Sequence, residues 1–290
     1  MPRYVQAQTI SFTDERIKAT YVTYPSPGGT SGTMRGYLVH PKGNGPFPVV
    51  LVVHENRGLN PYIEDVARRA ATEGFLALAP DGLFPVGGYP GNDDDGRTLQ
   101  AKLDQAKLRT DMVNSARFLK THAMSTGKLG VTGFCWGGGT TNFLAATLGA
   151  DMNAGVPFYG AAAETASVPN IKAPLLVQYA ETDERINAMW PAYEAALKSA
   201  GASYRCSSIP ARSTAFTTIR RRATTRSRRR SPGTAPSPSS GRTWPEAGVQ
   251  AALAGLGLPA CHSSSLARAR FFVGSSADSW PATLAASSIT

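Results

Sequence analysis

Residues Gly133-Phe134-Cys135-Trp136-Gly137-Gly138-Gly139 place a thiol on a glycine-bounded turn. The turn follows an apolar run, Lys128 to Thr132, and precedes a helix-forming run, Thr140 to Leu148. A side chain carried on a sharp strand-to-helix turn stands exposed at the end of a sheet, where it can act as a nucleophile. The glycines serve that geometry. Without Cβ atoms they let strand and helix approach closely and leave backbone N–H groups free to face a reacting carbonyl. A second reading of the same residues is a glycine-rich turn that buries a cysteine.

The first two thirds of the chain alternate between strand and helix patterns. Ala19 to Tyr24 and Met34 to His40 read as an opening hairpin around Pro25-Ser26-Pro27-Gly28-Gly29. Phe47 to His54 is a continuous apolar run, as expected of a strand buried on both faces. Strands follow at Phe75 to Pro80, Ala154 to Tyr159 and Ala173 to Tyr179. Helices are expected over Ile63 to Thr72, Leu103 to His122 and Met189 to Ser199. Strands separated by helices imply a largely parallel sheet, with its chemistry at the carboxyl ends of the strands. Those ends carry His54-Glu55-Asn56-Arg57-Gly58, Asp81-Gly82, Cys135 and Glu181-Thr182-Asp183. Asp81 reads as a turn or cap residue. Asp183 fits a helix cap and, equally, a catalytic acid placed after the nucleophile. His122 reads as an exposed cation at a helix C-terminus.

A chain of 290 residues with a 42% apolar fraction can bury a large core. No run approaches a membrane span, and Met1 to Phe12 lacks the apolar core of a secretory leader. Three cysteines, Cys135, Cys206 and Cys261, supply neither a disulfide framework nor a C-x-x-C metal pair. The expectation is a cytoplasmic protein without metal or cofactor. The net charge of +10 lies wholly in residues 205–290, which hold 12 arginines and only Glu246 and Asp278 as acids. Residues 1–204 are expected to form the α/β domain, and residues 205–290 an irregular tail rich in Arg, Ser and Pro.

Several separated motifs resemble one family in family order. They are Tyr24-Pro25-Ser26-Pro27, Gly36-Tyr37-Leu38, His54-Glu55-Asn56-Arg57-Gly58-Leu59-Asn60, Ala79-Pro80-Asp81-Gly82, Gly133-Phe134-Cys135-Trp136-Gly137-Gly138 and Pro157-Phe158-Tyr159-Gly160. Over roughly residues 17–204 the chain resembles the dienelactone hydrolases, or carboxymethylenebutenolidases. The resemblance implies an α/β-hydrolase fold and a Cys-His-Asp triad acting on small ester or lactone substrates by acyl transfer. Cys135 would be the nucleophile and Asp183 the acid. Glu55 would be the extra carboxylate that faces the resting thiol, and backbone N–H groups of Trp136 and Asn56 would form the oxyanion hole. It also implies arginines that grip a substrate carboxylate, for which Arg35 and Arg97 are the nearest candidates.

The triad histidine has no match. The resemblance places it in a His-Gly-Phe segment after the last strand, whereas this chain holds only His40, His54, His122 and His262. His262 follows the acid in the right order, but its surroundings, Ala260-Cys261-His262-Ser263-Ser264, are unlike the family. A shifted reading frame accounts for the gap. From Ser213-Thr214 onward, codons can be chosen so that the third base of each, joined to the first two of the next, spells His-Gly-Phe-His-Asn-Asp-Thr-Thr-Pro-Arg-Tyr-Asp. The break is expected near Tyr204 to Cys206, leaving the sheet without its last strand and helix. Two other functions remain open at this point. One is a non-catalytic family member that binds a small ester or acid. The other is polyanion or nucleic-acid binding through the arginine block around Arg220 to Arg230, although no aromatic residues interleave it to support specific recognition.

Overall fold

A computed structural model describes residues 9–209. Strand β1 (Ile17–Ser26) and strand β2 (Gly32–Pro41) form the expected antiparallel hairpin, in register from Ile17 opposite Pro41 to Ser26 opposite Gly32. Then come β3 (Phe47–Val53), helix α1 (Pro61–Thr72), β4 (Leu76–Pro80), α2 (Asp93–Ala101) and α3 (Gln105–Lys120). They are followed by β5 (Ser125–Phe134), α4 (Trp136–Leu148), β6 (Ala154–Phe158) and β7 (Leu175–Ala180). A short α5 (Glu184–Asn187), then α6 (Trp190–Ser199) and β8 (Tyr204–Ile209), complete the described residues. The eight strands form one sheet in the order β1-β2-β4-β3-β5-β6-β7-β8, parallel from β4 through β8.

Alternation along β3 builds two cores. Val49, Leu51 and Val53 pack with Leu108 and Met112 of α3, Leu144 of α4 and Leu197 of α6. Val50 and Val52 point the other way, to Ile63, Ala67 and Ala71 of α1. Because side chains alternate with period two, a strand covered by helices on both faces must be apolar at every position, which is what β3 is. Among the described residues no helix is long and apolar enough to cross a membrane.

One expectation is corrected. The sheet does not lack its last strand: Tyr204–Ile209 pairs in parallel with β7, from Leu175 opposite Tyr204 to Ala180 opposite Ile209. Its ends are pinned by Leu175 N–H donating to Ser203 O (3.0 Å) and Glu181 N–H donating to Ile209 O (2.9 Å), while Ile209 enters the core. The residues between, Arg205 to Ser208, are exposed, so this edge strand has no hydrophobic period to reveal it. The sheet therefore runs past the expected boundary at residue 204. Helix α2 lies between the expected strand at Phe75 to Pro80 and the expected helix at Leu103 to His122, in a segment for which the sequence gives no expected element. Asn92 caps it by accepting from Asp95 N–H (2.9 Å), and Asp93, Asp94 and Asp95 in the first turn favour the positive helix end. The expected closing helix, the arginine block and His262 lie outside the described residues.

Candidate active site

Cys135 joins the end of β5 to the start of α4 with φ 54° and ψ −111°. A non-glycine residue held at positive φ is strained, and strain of this kind gathers at functional sites. The surroundings enforce it. Cys135 N–H donates to Phe158 O (3.0 Å), and Cys135 O accepts from Gly139 N–H (3.0 Å). A Cβ on Gly137 would run into the carbonyl oxygens of Val53 and His54, so only glycine lets α4 start this close to the end of β3. The sharp turn read from the sequence is thus present.

Cys135 opens onto a cavity of about 570 Å³. One face of α4 forms its floor through Trp136, Thr140, Phe143 and Thr147, and Asn56 and Tyr159 also line it. Asn56 and Trp136, whose N–H groups were expected to receive an oxyanion, therefore share the cavity with the thiol. Burial first, then the negative charge of Glu55, push the Cys135 thiol above its ordinary range. The Trp136 N–H, Arg57 and Arg185 oppose that rise without overcoming it. The helix N-terminus alone does not secure a thiolate here.

Glu55 follows β3 and is likewise pushed up, chiefly by burial. Arg57 lowers it, Asp93 raises it, and a hydrogen bond from Tyr159 lowers it. Tyr159 is the other described non-glycine residue at positive φ (39°), its N–H donating to Gln178 O (2.6 Å). Burial and then Glu55 hold its hydroxyl protonated. Two half-buried acids, Glu55 and Cys135, thus each make the other harder to ionise.

Asp183 follows β7 and caps α5, accepting from Ile186 N–H (3.1 Å). It does not line the cavity, but Arg185 and Ile186, just beyond it, do. Asp81 is the turn residue expected. It accepts from Leu83 N–H (3.2 Å) and pairs with Arg35 (Nη2 to Oδ2, 2.5 Å). Arg35 is committed to that pair, and the exposed Arg97 faces Asp94 (3.8 Å); neither lines the cavity. The arginines that do, Arg109 of α3 and Arg185 of α5, were missed in the sequence because both sit on helices rather than in the strand-end loops. Arg109 lies over the Phe143 ring (5.4 Å).

None of the described histidines lines the cavity. His54 is fully buried; its Nδ1–H donates to Glu55 O (2.5 Å), its Nε2 accepts from Gly82 N–H (3.1 Å), and its ring stacks on Trp136. Burial lowers its pKa, which keeps it neutral. His40 donates to or accepts from nothing near the cavity, its Nδ1 lying 2.7 Å from Pro41 O. His122 is not the exposed cation expected. It is half-buried, burial lowers its pKa, and its Nδ1 accepts from Met124 N–H (3.2 Å). Among the described residues no group of three or more His, Cys, Asp or Glu side chains could hold a metal ion.

The model of the dienelactone hydrolase family matches residues 34–231. Over 104 residues the chain is 64% identical to a protein of Escherichia coli K12 named "Putative hydrolase fragment YghX", covering 36% of this chain and 88% of that one. It is 35% identical over 167 residues to the "Putative carboxymethylenebutenolidase" of the same organism, covering 56% of this chain and 60% of that protein's length. The solved structure titled "Putative Dienelactone Hydrolase" from Klebsiella pneumoniae superposes with a TM-score of 0.55 at 28% identity, over 66% of this chain and 86% of that one.

Proposed function

The chain belongs to the dienelactone hydrolase family, whose members are hydrolases of the ester- or lactone-cleaving type, and on that premise we propose that Cys135 is its nucleophile. The observation that carries this reading is the thiol on a strained turn at the mouth of a cavity sized for a small ester. The thiolate attacks the carbonyl carbon, the C–S bond forms, the acyl C–O bond breaks, and the departing alkoxide takes its proton from water. Trp136 and Asn56 N–H groups receive the oxyanion. Asp183 is the triad acid, and Glu55 is the carboxylate beside the resting thiol. Arg109 and Arg185 outnumber Glu164 among the charged residues of the cavity, which favours an ester bearing a negative charge.

The imidazole is the incomplete part. No described histidine reaches the cavity, so the acyl-enzyme forms faster than water removes it. The notion of a pure binder meets this one halfway, since both give little turnover. A burst assay with p-nitrophenyl acetate separates them. The expected result is about one equivalent of nitrophenol per chain, a 42-dalton acetyl adduct, a roughly constant level thereafter, and no burst in Cys135→Ala. Absence of both burst and adduct, in folded protein, would leave only the binder.

A further inference from the structure

Arg57 stands between two carboxylates. Its Nε lies 3.6 Å from Glu55 Oε2, and its Nη1 lies 2.7 Å from Asp93 Oδ2. Asp93 opens α2 and is held from two more sides, by Tyr89 OH (3.0 Å) and Asn60 Nδ2 (3.5 Å). One turn on, Gly96 rests on the backbone of Arg57, whose carbonyl oxygen occupies the space a Cβ would need. The three charged side chains are only 21%, 16% and 17% exposed for Arg57, Glu55 and Asp93, so solvent screens them weakly. The short contact is to Asp93 and the long one to Glu55. Helix α2 therefore decides how much of the guanidinium charge Glu55 receives.

We propose that Arg57 is a positioning residue for the Cys135 thiol, acting through Glu55, and that Asp93 on α2 sets the strength of that action. This rests on Cys135 being the nucleophile. The charges facing Glu55 come from several elements: Arg57 and Asp93, Tyr159 after β6, Tyr62 of α1, and Cys135 itself. Those facing Cys135 are Glu55, Arg57, Tyr159 after β6 and Arg185 of α5. Glu55 and Cys135 hold one negative charge far more readily than two. Arg57 stabilises that single charge, and Asp93 takes part of the stabilisation away. Arg57 holds that charge on Glu55, so loss of Arg57 leaves Glu55 more often neutral and lowers the pH at which the thiol ionises, and loss of the Asp93 charge raises it.

The test is the pH profile of Cys135 alkylation by iodoacetamide in the full chain carrying Cys206→Ser and Cys261→Ser. Alkylation needs neither an ester nor an imidazole, so it reports even if the chain proves to hydrolyse nothing. Arg57→Gln is expected to speed alkylation severalfold at pH 7, by moving the profile down by up to roughly one unit. Arg57→Lys returns the profile most of the way to the parent, and Asp93→Asn moves it up. In a Glu55→Gln background the Arg57→Gln effect shrinks to less than half. An unchanged profile in folded Arg57→Gln overturns the proposal. So does an effect undiminished by Glu55→Gln, because Arg57 would then act on the thiol directly. An Asp93→Asn profile identical to the parent overturns the role of α2. If Arg57→Gln does not fold, the Arg57→Lys and Asp93→Asn profiles still decide, since a purely structural Arg57 moves neither.

Discussion

Glu55 is a carboxyl in a place that resists its charge. Burial outweighs Arg57 and the Tyr159 hydrogen bond, so its pKa is higher in the fold than in the unfolded chain. The sign of the consequence follows from proton counts. Below the ordinary carboxylate range Glu55 is protonated in both states and costs nothing. As pH rises, the unfolded chain releases its proton first, so stability falls through the window between the two pKa values. Glu55→Gln is therefore expected to raise Tm at pH 7 by a few degrees, with the gain vanishing toward pH 4. Thermal melts of the two proteins across that range check it, and a gain that persists at pH 4 would count against a charge effect. A stabilised variant with a weaker ester burst is the ordinary exchange of stability for function at a site. Cys135 and Glu55 were legible in the sequence because their motifs carry them. Arg57 as the link between them was not, since a guanidinium flanked by an asparagine and a glycine says nothing of an aspartate 36 residues on.

Helices and strands differed in how well they showed themselves. Strand β3 and helix α1 announce themselves by apolar runs and 3.6-residue periodicity, and both stand where the pattern puts them. Helix α2 has three consecutive aspartates, then a glycine, and only Gly96 and Gln100 buried, so propensity argues against it. It exists because Asn92 caps it, its acids meet the helix dipole, and Asp93 is tied to Arg57. Asn92→Ala should cost about 1 kcal/mol, seen as a lower urea midpoint. The same variant should also disturb the thiol profile, because the cap holds Asp93 in place. Strand β8 is the converse case. Its middle is exposed, and backbone pairing with β7 defines it more than side-chain pattern does. Ile209 is its buried anchor at 4% exposure. Ile209→Ala should cost about 2–3 kcal/mol, near the low end for such truncations because the site lies at a sheet edge. A loss below 0.5 kcal/mol by denaturant titration would mean that β8 is not part of the cooperative sheet.

The whole chain combines a nearly neutral first part with a tail that carries all of its +10 charge. Among the described residues the sheet has eight strands, the thiol turn is formed, and Asp183 follows β7. What the described residues do not bring to the cavity is an imidazole, and the alternative frame offers one from Ser213-Thr214 onward, four residues past the end of β8. Loops that follow parallel strands emerge at the carboxyl end of the sheet, which is the end where Cys135 stands. A histidine in that loop is therefore at the topologically right place, and its loss removes general-base help worth roughly 10²–10⁴-fold. We predict that shifting the frame near codon 205 supplies the His-Gly-Phe segment, removes the arginine block, and converts a single burst into turnover. The comparison is made with one ester at equal soluble concentration, and sequencing codons 200–240 of the source DNA accompanies it. In parallel, a salt-titrated DNA shift assay should show binding by the chain as written, weakening steeply with ionic strength, and little by the shifted form. Equal turnover by both forms, with activity lost in His262→Ala, would instead make the tail as written a catalytic element.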